Sequence, residues 1–156
     1  MSDFVIYISL EKYLHQWITH NLGNPVRFPQ YSNENAVIRT FIIKTPPGVI
    51  PDDNRSGKTA VAIPDSSAKP PATYNHLGRK GQAALREAIK DLFLRALWSD
   101  ISPLSSSPVG VNSLISAWCE SNGIDLDHVE TVRQCYYRLR RQYAEKGISI
   151  KNFKKK

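Results

Sequence analysis

Residues 129–143, VETVRQCYYRLRRQY, repeat a large apolar side chain at Val129, Val132, Tyr136, Leu139 and Tyr143. Steps of three and four match the α-helical turn, whereas a strand, with its period of two, cannot gather these five on one face. The stretch therefore predicts an amphipathic helix over about 127–145, with that stripe in the core. The opposite face carries Glu130, Gln134, Tyr137, Arg138 and Arg141, with Arg133 on its shoulder. Arg140 falls near the apolar border, where its stem can lie over the core.

The same periodicity predicts further helices. LGRKGQAALREAIKDLFLRALWSDI aligns Leu85, Ile89, Leu92, Phe93, Ala96 and Leu97, so a long helix is expected over 77–101. EKYLHQWITHNLG predicts a helix closed by Gly23, and residues 112–122 predict a short one. YSNENAVIRTFIIKTPP fits a helix or a strand, and the spacing of Val37, Ile38, Phe41 and Ile42 favours a helix N-capped by Ser32 and ending before Pro46. Strands are expected at Phe4–Leu10 and in TAVAI (59–63), with loops at 46–58 and 64–76 and a linker in SPLSSSPVG. The fold class is thus α+β: a mixed α/β region 1–76, a helical region 77–150, and a basic tail 151–156.

Charge divides the chain more sharply than secondary structure does. Residues 1–127 contain twelve Lys+Arg and twelve Asp+Glu. Residues 128–156 contain nine cations against only Glu130 and Glu145, so the whole net charge of +7 belongs to this end. Such segregation is expected of an anion-binding surface.

Several chemistries fit poorly. DDNRSGKTAVAI ends like a phosphate-binding loop, but Asp52 stands where the first glycine belongs, and apolar TAVAI follows where a helix should start. His15, His20, His76 and His128 form no ligand-spaced pair, and Cys119 and Cys135 belong to no CxxC, so neither metal nor cofactor is expected. SPLSSSP lacks a nucleophile elbow, and the carboxylates form no pair, so a non-enzymatic protein is expected. No apolar run approaches the ~20 residues of a membrane span. The opening MSDFVIYISLEKYL lacks the basic and small-residue signature of a secretory leader, so a cytoplasmic location is expected.

NSLISAWCESNGIDLDHVETVRQCYYRL resembles the helix-turn-helix pattern of DNA-binding proteins over residues 112–143. Trp118 and Cys119 precede the turn glycine, Gly123, and Ile124, Val129 and Val132 follow it. Glycine permits the turn's positive φ, and the three aliphatic residues clamp the second helix on the first. The resemblance implies that the second helix enters the major groove. Asn122 replaces a residue that is usually apolar, and Asp125, Asp127 and Glu130 crowd the end that would meet the groove. Asp127 and Glu130 suit a capping box, but they oppose phosphate approach and shift the expected contact toward the helix's middle and end. PVRFP, AIKDLFLRALWSDI and YYRLRRQY are also similar to segments of uncharacterised basic proteins of bacterial mobile elements.

Arginine, glutamine and tyrosine on one face suit phosphates, base edges and unpaired bases respectively. The expected function is nucleic-acid binding, with DNA favoured over RNA. The expected contacts are Arg133, Gln134, Tyr137, Arg138, Arg141, Lys146, Lys151, Lys154, Lys155 and Lys156. A homodimer would double the charge and present two half-sites. The alternative is an adaptor or dimerisation module that meets an acidic protein and carries a solubilising tail.

Overall fold

The computed structural model describes residues 4–53 and 57–145. Lys146, Lys151, Lys154, Lys155 and Lys156, and with them the basic tail, lie outside the described residues. The fold is α+β. In chain order it runs β1 (Val5–Ile8), α1 (Lys12–Leu22), α2 (Asn33–Phe41), β2 (Ile42–Lys44), β3 (Thr59–Ala62), β4 (Tyr74–Leu77), α3 (Arg79–Ile101), α4 (Val111–Ser121) and α5 (Val129–Glu145). Two 3-10 turns, Ser102–Leu104 and Leu126–His128, lie on either side of α4.

Two compact units divide the chain, Met1–Asp91 and Leu92–Lys156. The division falls inside α3. Side-chain contacts accompany it. The first half of α3 is held in the first unit, where Arg86 Nε donates to the Ser9 carbonyl at 3.0 Å and Lys90 Nζ bonds the Tyr13 hydroxyl. In the second unit Phe93 meets Trp118 edge-to-face, with ring centroids 5.7 Å apart.

In the first unit β1 pairs antiparallel with β3, with Val5 opposite Ala62 and Ile8 opposite Thr59. Ile6 and Ile8 are buried while Val5 and Tyr7 are half-buried, the period-two pattern of a strand with one core face. On its other side β3 meets a parallel neighbour. Val26 N–H donates to the Ala60 carbonyl and Ala62 N–H to the Val26 carbonyl, both at 2.8 Å. A second sheet pairs β2 with β4 antiparallel, Ile42 opposite Leu77, with a bulge between Ile43 and Lys44.

Helix α2 begins as expected, with the Ser32 hydroxyl accepting from Asn35 N–H at 3.2 Å. It ends at Phe41 instead of running on toward Pro46. β-branched Ile42 and Ile43 fit a pleated surface, and β4, which falls in the expected 64–76 loop and the first residue of the expected helix, supplies the partners their backbone needs. Gly81, in the first turn of α3, lies so close to this corner that a Cβ would stand 2.6 Å from the Leu77 side chain and 2.8 Å from Phe41 Cβ.

The nucleotide-loop residues are otherwise engaged. Asp52 pairs with Lys58 at 2.9 Å, and Thr59, 1% exposed, shares a 2.7 Å hydrogen bond with His15 Nδ1. Both cysteines are buried thiols, neither in a disulfide among the described residues. Among the described residues no three His, Cys, Asp or Glu side chains are placed to hold a metal ion, and no helix is long and apolar enough to cross a membrane.

Candidate nucleic-acid interface

Helix α5 separates its two faces as the stripe requires. Val129, Val132, Cys135 and Tyr136 are buried, and Leu139 and Tyr143 are half-buried. Trp98 of α3 stacks on Tyr136 at 5.5 Å and on Tyr143 at 4.7 Å, with rings within 26° of parallel. Offset stacking of this kind adds about 0.5–1.5 kcal/mol per pair beyond burial. The aromatic ladder thus fixes which way α5 is rolled, and so which residues face water.

Helix α4 fixes α5 from the other side. Its C-terminus is closed by Asn122, whose side-chain Nδ2 donates to the Trp118 carbonyl at 2.8 Å and whose backbone N–H is shared between the Trp118 and Cys119 carbonyls. This cap explains a polar residue where an apolar one was expected. Gly123 follows at φ +73°, a conformation that suits glycine, and Ile124, 4% exposed, donates its N–H to the Cys119 carbonyl. The Trp118 indole N–H donates to Asp100 Oδ2 at 2.8 Å, which anchors the buried end of α4.

Beyond the turn, α4 and α5 run side by side in antiparallel register. Arg133 Nη2 reaches Ser116 Oγ at 3.3 Å, and one turn further the Tyr137 hydroxyl reaches Asn112 Oδ1 at 2.8 Å. Asn112 and the basic face of α5 then line a shallow groove of about 330 Å³, with Glu130, Arg133, Gln134, Tyr137, Arg138 and Arg141 along it.

The candidate residues are not equivalent there. Gln134, Arg138 and Arg141 are exposed, and no ion pair is formed by Arg138, Arg140 or Arg141 among the described residues. Arg133 is partly committed, with Nη1 3.4 Å from Glu130 Oε2, while its Nε is sealed from solvent with no acceptor among the described residues. Tyr137 donates its hydroxyl proton to Asn112 and packs its half-buried ring edge-to-face on Tyr136 at 5.5 Å. It therefore offers a ring edge and an acceptor oxygen more readily than a phosphate donor. Asp125, Asp127 and Glu130 are all exposed, and of the three Glu130 lines the groove, which carries Arg138 and Arg141 further along α5.

Two buried groups record the electrostatics beneath this face. Burial pushes the Cys119 thiol up to about 11 from its ordinary 9.0, with nearby Arg133 opposing the rise. Burial also raises the Tyr136 phenol, against the Arg140 guanidinium, with Tyr137 adding to the rise.

Asn112, Ser116, Trp98 and Asp100 were not singled out by sequence reasoning, because each acts through a partner distant in the chain. Asn112 was in principle within reach, since it and Tyr137 are placed symmetrically about the turn at Ile124 and Asp125, as an antiparallel helix pair requires. The chain matches no protein-family model, no curated protein and no solved structure.

Proposed function

We propose that this protein binds nucleic acid, with duplex DNA favoured, through the exposed row Gln134, Arg138 and Arg141 on α5, continued by the lysines beyond it. The observation that carries this reading is the exposure of those three side chains on one groove wall, with both guanidinium groups outside any ion pair among the described residues. Two arginines about one helical turn apart, outside any ion pair among the described residues, suit successive contacts to phosphate oxygens, which dominate affinity and carry no direct sequence information. Gln134 is the residue suited to an adenine edge.

The helix-turn-helix resemblance belongs to this proposal, with a refinement. Helix α4 flanks the ridge as far as Asn112, so the backbone of the duplex is the nearer partner and deep insertion of α5 the lesser part. No catalytic role is assigned. The second reading, an adaptor meeting an acidic protein, draws on the same arginines.

A mobility-shift series with random duplex DNA, single-stranded DNA and RNA tests it. Arg138→Ala together with Arg141→Ala is expected to weaken duplex binding about tenfold or more, given about 1.5–3 kcal/mol for a hydrogen bond to a charged group. Removing 151–156 is expected to lower affinity uniformly across sequences. Wild-type protein that shifts none of the three nucleic acids would overturn the proposal and favour the adaptor.

A further inference from the structure

The first unit carries a larger cleft, about 640 Å³, lined by none of the α5 residues. It opens at the carboxyl ends of the two parallel segments joined by the Val26–Val61 bridge. Past that bridge one segment passes through Phe28–Tyr31 into α2, and the other continues from β3 into Pro64–Ser67. Parting of adjacent parallel strands commonly leaves a ligand crevice.

The walls are held in place. Asn35 Nδ2 donates to the Phe28 carbonyl at 3.1 Å and the Pro29 carbonyl at 3.0 Å, tying α2 to the first wall. Lys69 Nζ donates to the Arg39 carbonyl at 2.8 Å and the Thr40 carbonyl at 3.2 Å, tying the chain after the second wall to the end of α2. Such a cleft is in the size range of pre-formed small-molecule sites, about 300–1,000 Å³.

Its lining sets the chemistry. Phe28, Ala62 and Ile63 are buried and give an apolar base. Tyr31 stands on the lining with its side chain 91% exposed, a large aromatic surface left to water. Asn35 is 5% exposed, and with its amide protons spent on the two carbonyls its Oδ1 accepts no hydrogen bond among the described residues. Arg39 lies one turn along α2 from Asn35, and Arg27 lines the neighbouring wall. Among the described residues Asp65 is the one carboxylate of the lining.

These features together ask for a flat ring to lie on Tyr31, an N–H or O–H to reach Asn35 Oδ1, and an oxyanion for the Arg39 guanidinium fork. One such fork suits a singly phosphorylated ligand better than a polyphosphate. We propose that this cleft binds a nucleoside monophosphate, free or as the end of a single strand. The site stands independently of the α5 reading.

Calorimetric titration of the full chain with the four ribonucleoside monophosphates, inorganic phosphate and a 5′-phosphorylated trinucleotide tests it. Saturable binding of one nucleotide per chain is expected. Arg39→Ala is expected to weaken it about tenfold or more. Tyr31→Ala is expected to weaken the nucleotide about fivefold or more while leaving inorganic phosphate unchanged, since only the nucleotide can stack. Arg39 is half-buried and Tyr31 exposed, so circular dichroism should show both variants folded. A trinucleotide tighter than the free nucleotide identifies a strand end as the source, and the reverse order identifies the free molecule. Absence of saturable binding by any probe would overturn the proposal. So would binding that ignores Arg39→Ala and Tyr31→Ala, or that is lost in the Arg138→Ala, Arg141→Ala protein instead.

Discussion

Arg138 and Arg141 differ from Arg133 in what each is free to bind. Arg133 spans Glu130 and Ser116, so a ligand must compete with contacts already made, whereas the other two make no ion pair among the described residues. Tyr137 likewise has its proton placed on Asn112. Tyr137→Phe removes that bond and keeps the ring. Thermal unfolding is expected to show a loss of about 0.5–1.5 kcal/mol, with duplex affinity unchanged. A large loss of affinity would put the hydroxyl on the ligand. Cys119 supplies a test of burial by pH. Its thiol is raised to about 11 in the folded chain, so the unfolded chain releases the proton first. The resulting stability is complete below pH 9 and is lost as pH rises toward 11. Tyr136, raised in the same direction, adds a loss that begins near its ordinary 10.0. Melting temperature is therefore expected to fall across that alkaline range, and to fall less steeply in Cys119→Ala. Equal slopes in the two proteins would contradict the assignment to this thiol.

At the scale of elements, the α4–α5 pair depends on a turn that few residues can make. Gly123→Ala forces a Cβ into a positive-φ conformation and is expected to cost about 1–2 kcal/mol, seen as a lower denaturant midpoint with an unchanged slope. No shift in midpoint would mean that the turn adjusts freely. The stripe of α5, the cap at Ser32 and the strand at 59–62 were legible because each rests on local periodicity or a local hydrogen bond. The end of α2 and the existence of β4 were not. Both depend on Ile42 finding Leu77, a pairing that leaves no mark in either segment alone. The basic wall of the groove could likewise be read from the wheel of α5. Its other wall, Asn112, and the aromatic ladder on Trp98 required the packing of three helices. The cleft of the first unit was invisible for the same reason, since its walls meet through the Val26–Val61 bridge and the Lys69 contacts to the end of α2, all between segments distant in the chain.

On the scale of the whole molecule, a chain neutral through residue 127 concentrates its surplus charge in residues 128–156. The packing keeps that surplus on the surface in the described part of α5, where Arg138, Arg140 and Arg141 are exposed. Such a distribution acts mainly through released counterions, so its signature is salt dependence more than affinity at one condition. Measuring duplex-DNA binding across a salt series, for wild type and for the Arg138→Ala, Arg141→Ala protein, tests this most directly. Neutralising roughly five phosphates predicts a slope of log K against log salt near −4.5, falling to about −2.7 when two contacts are removed. The same slope in both proteins, or affinity that ignores salt, would contradict the account.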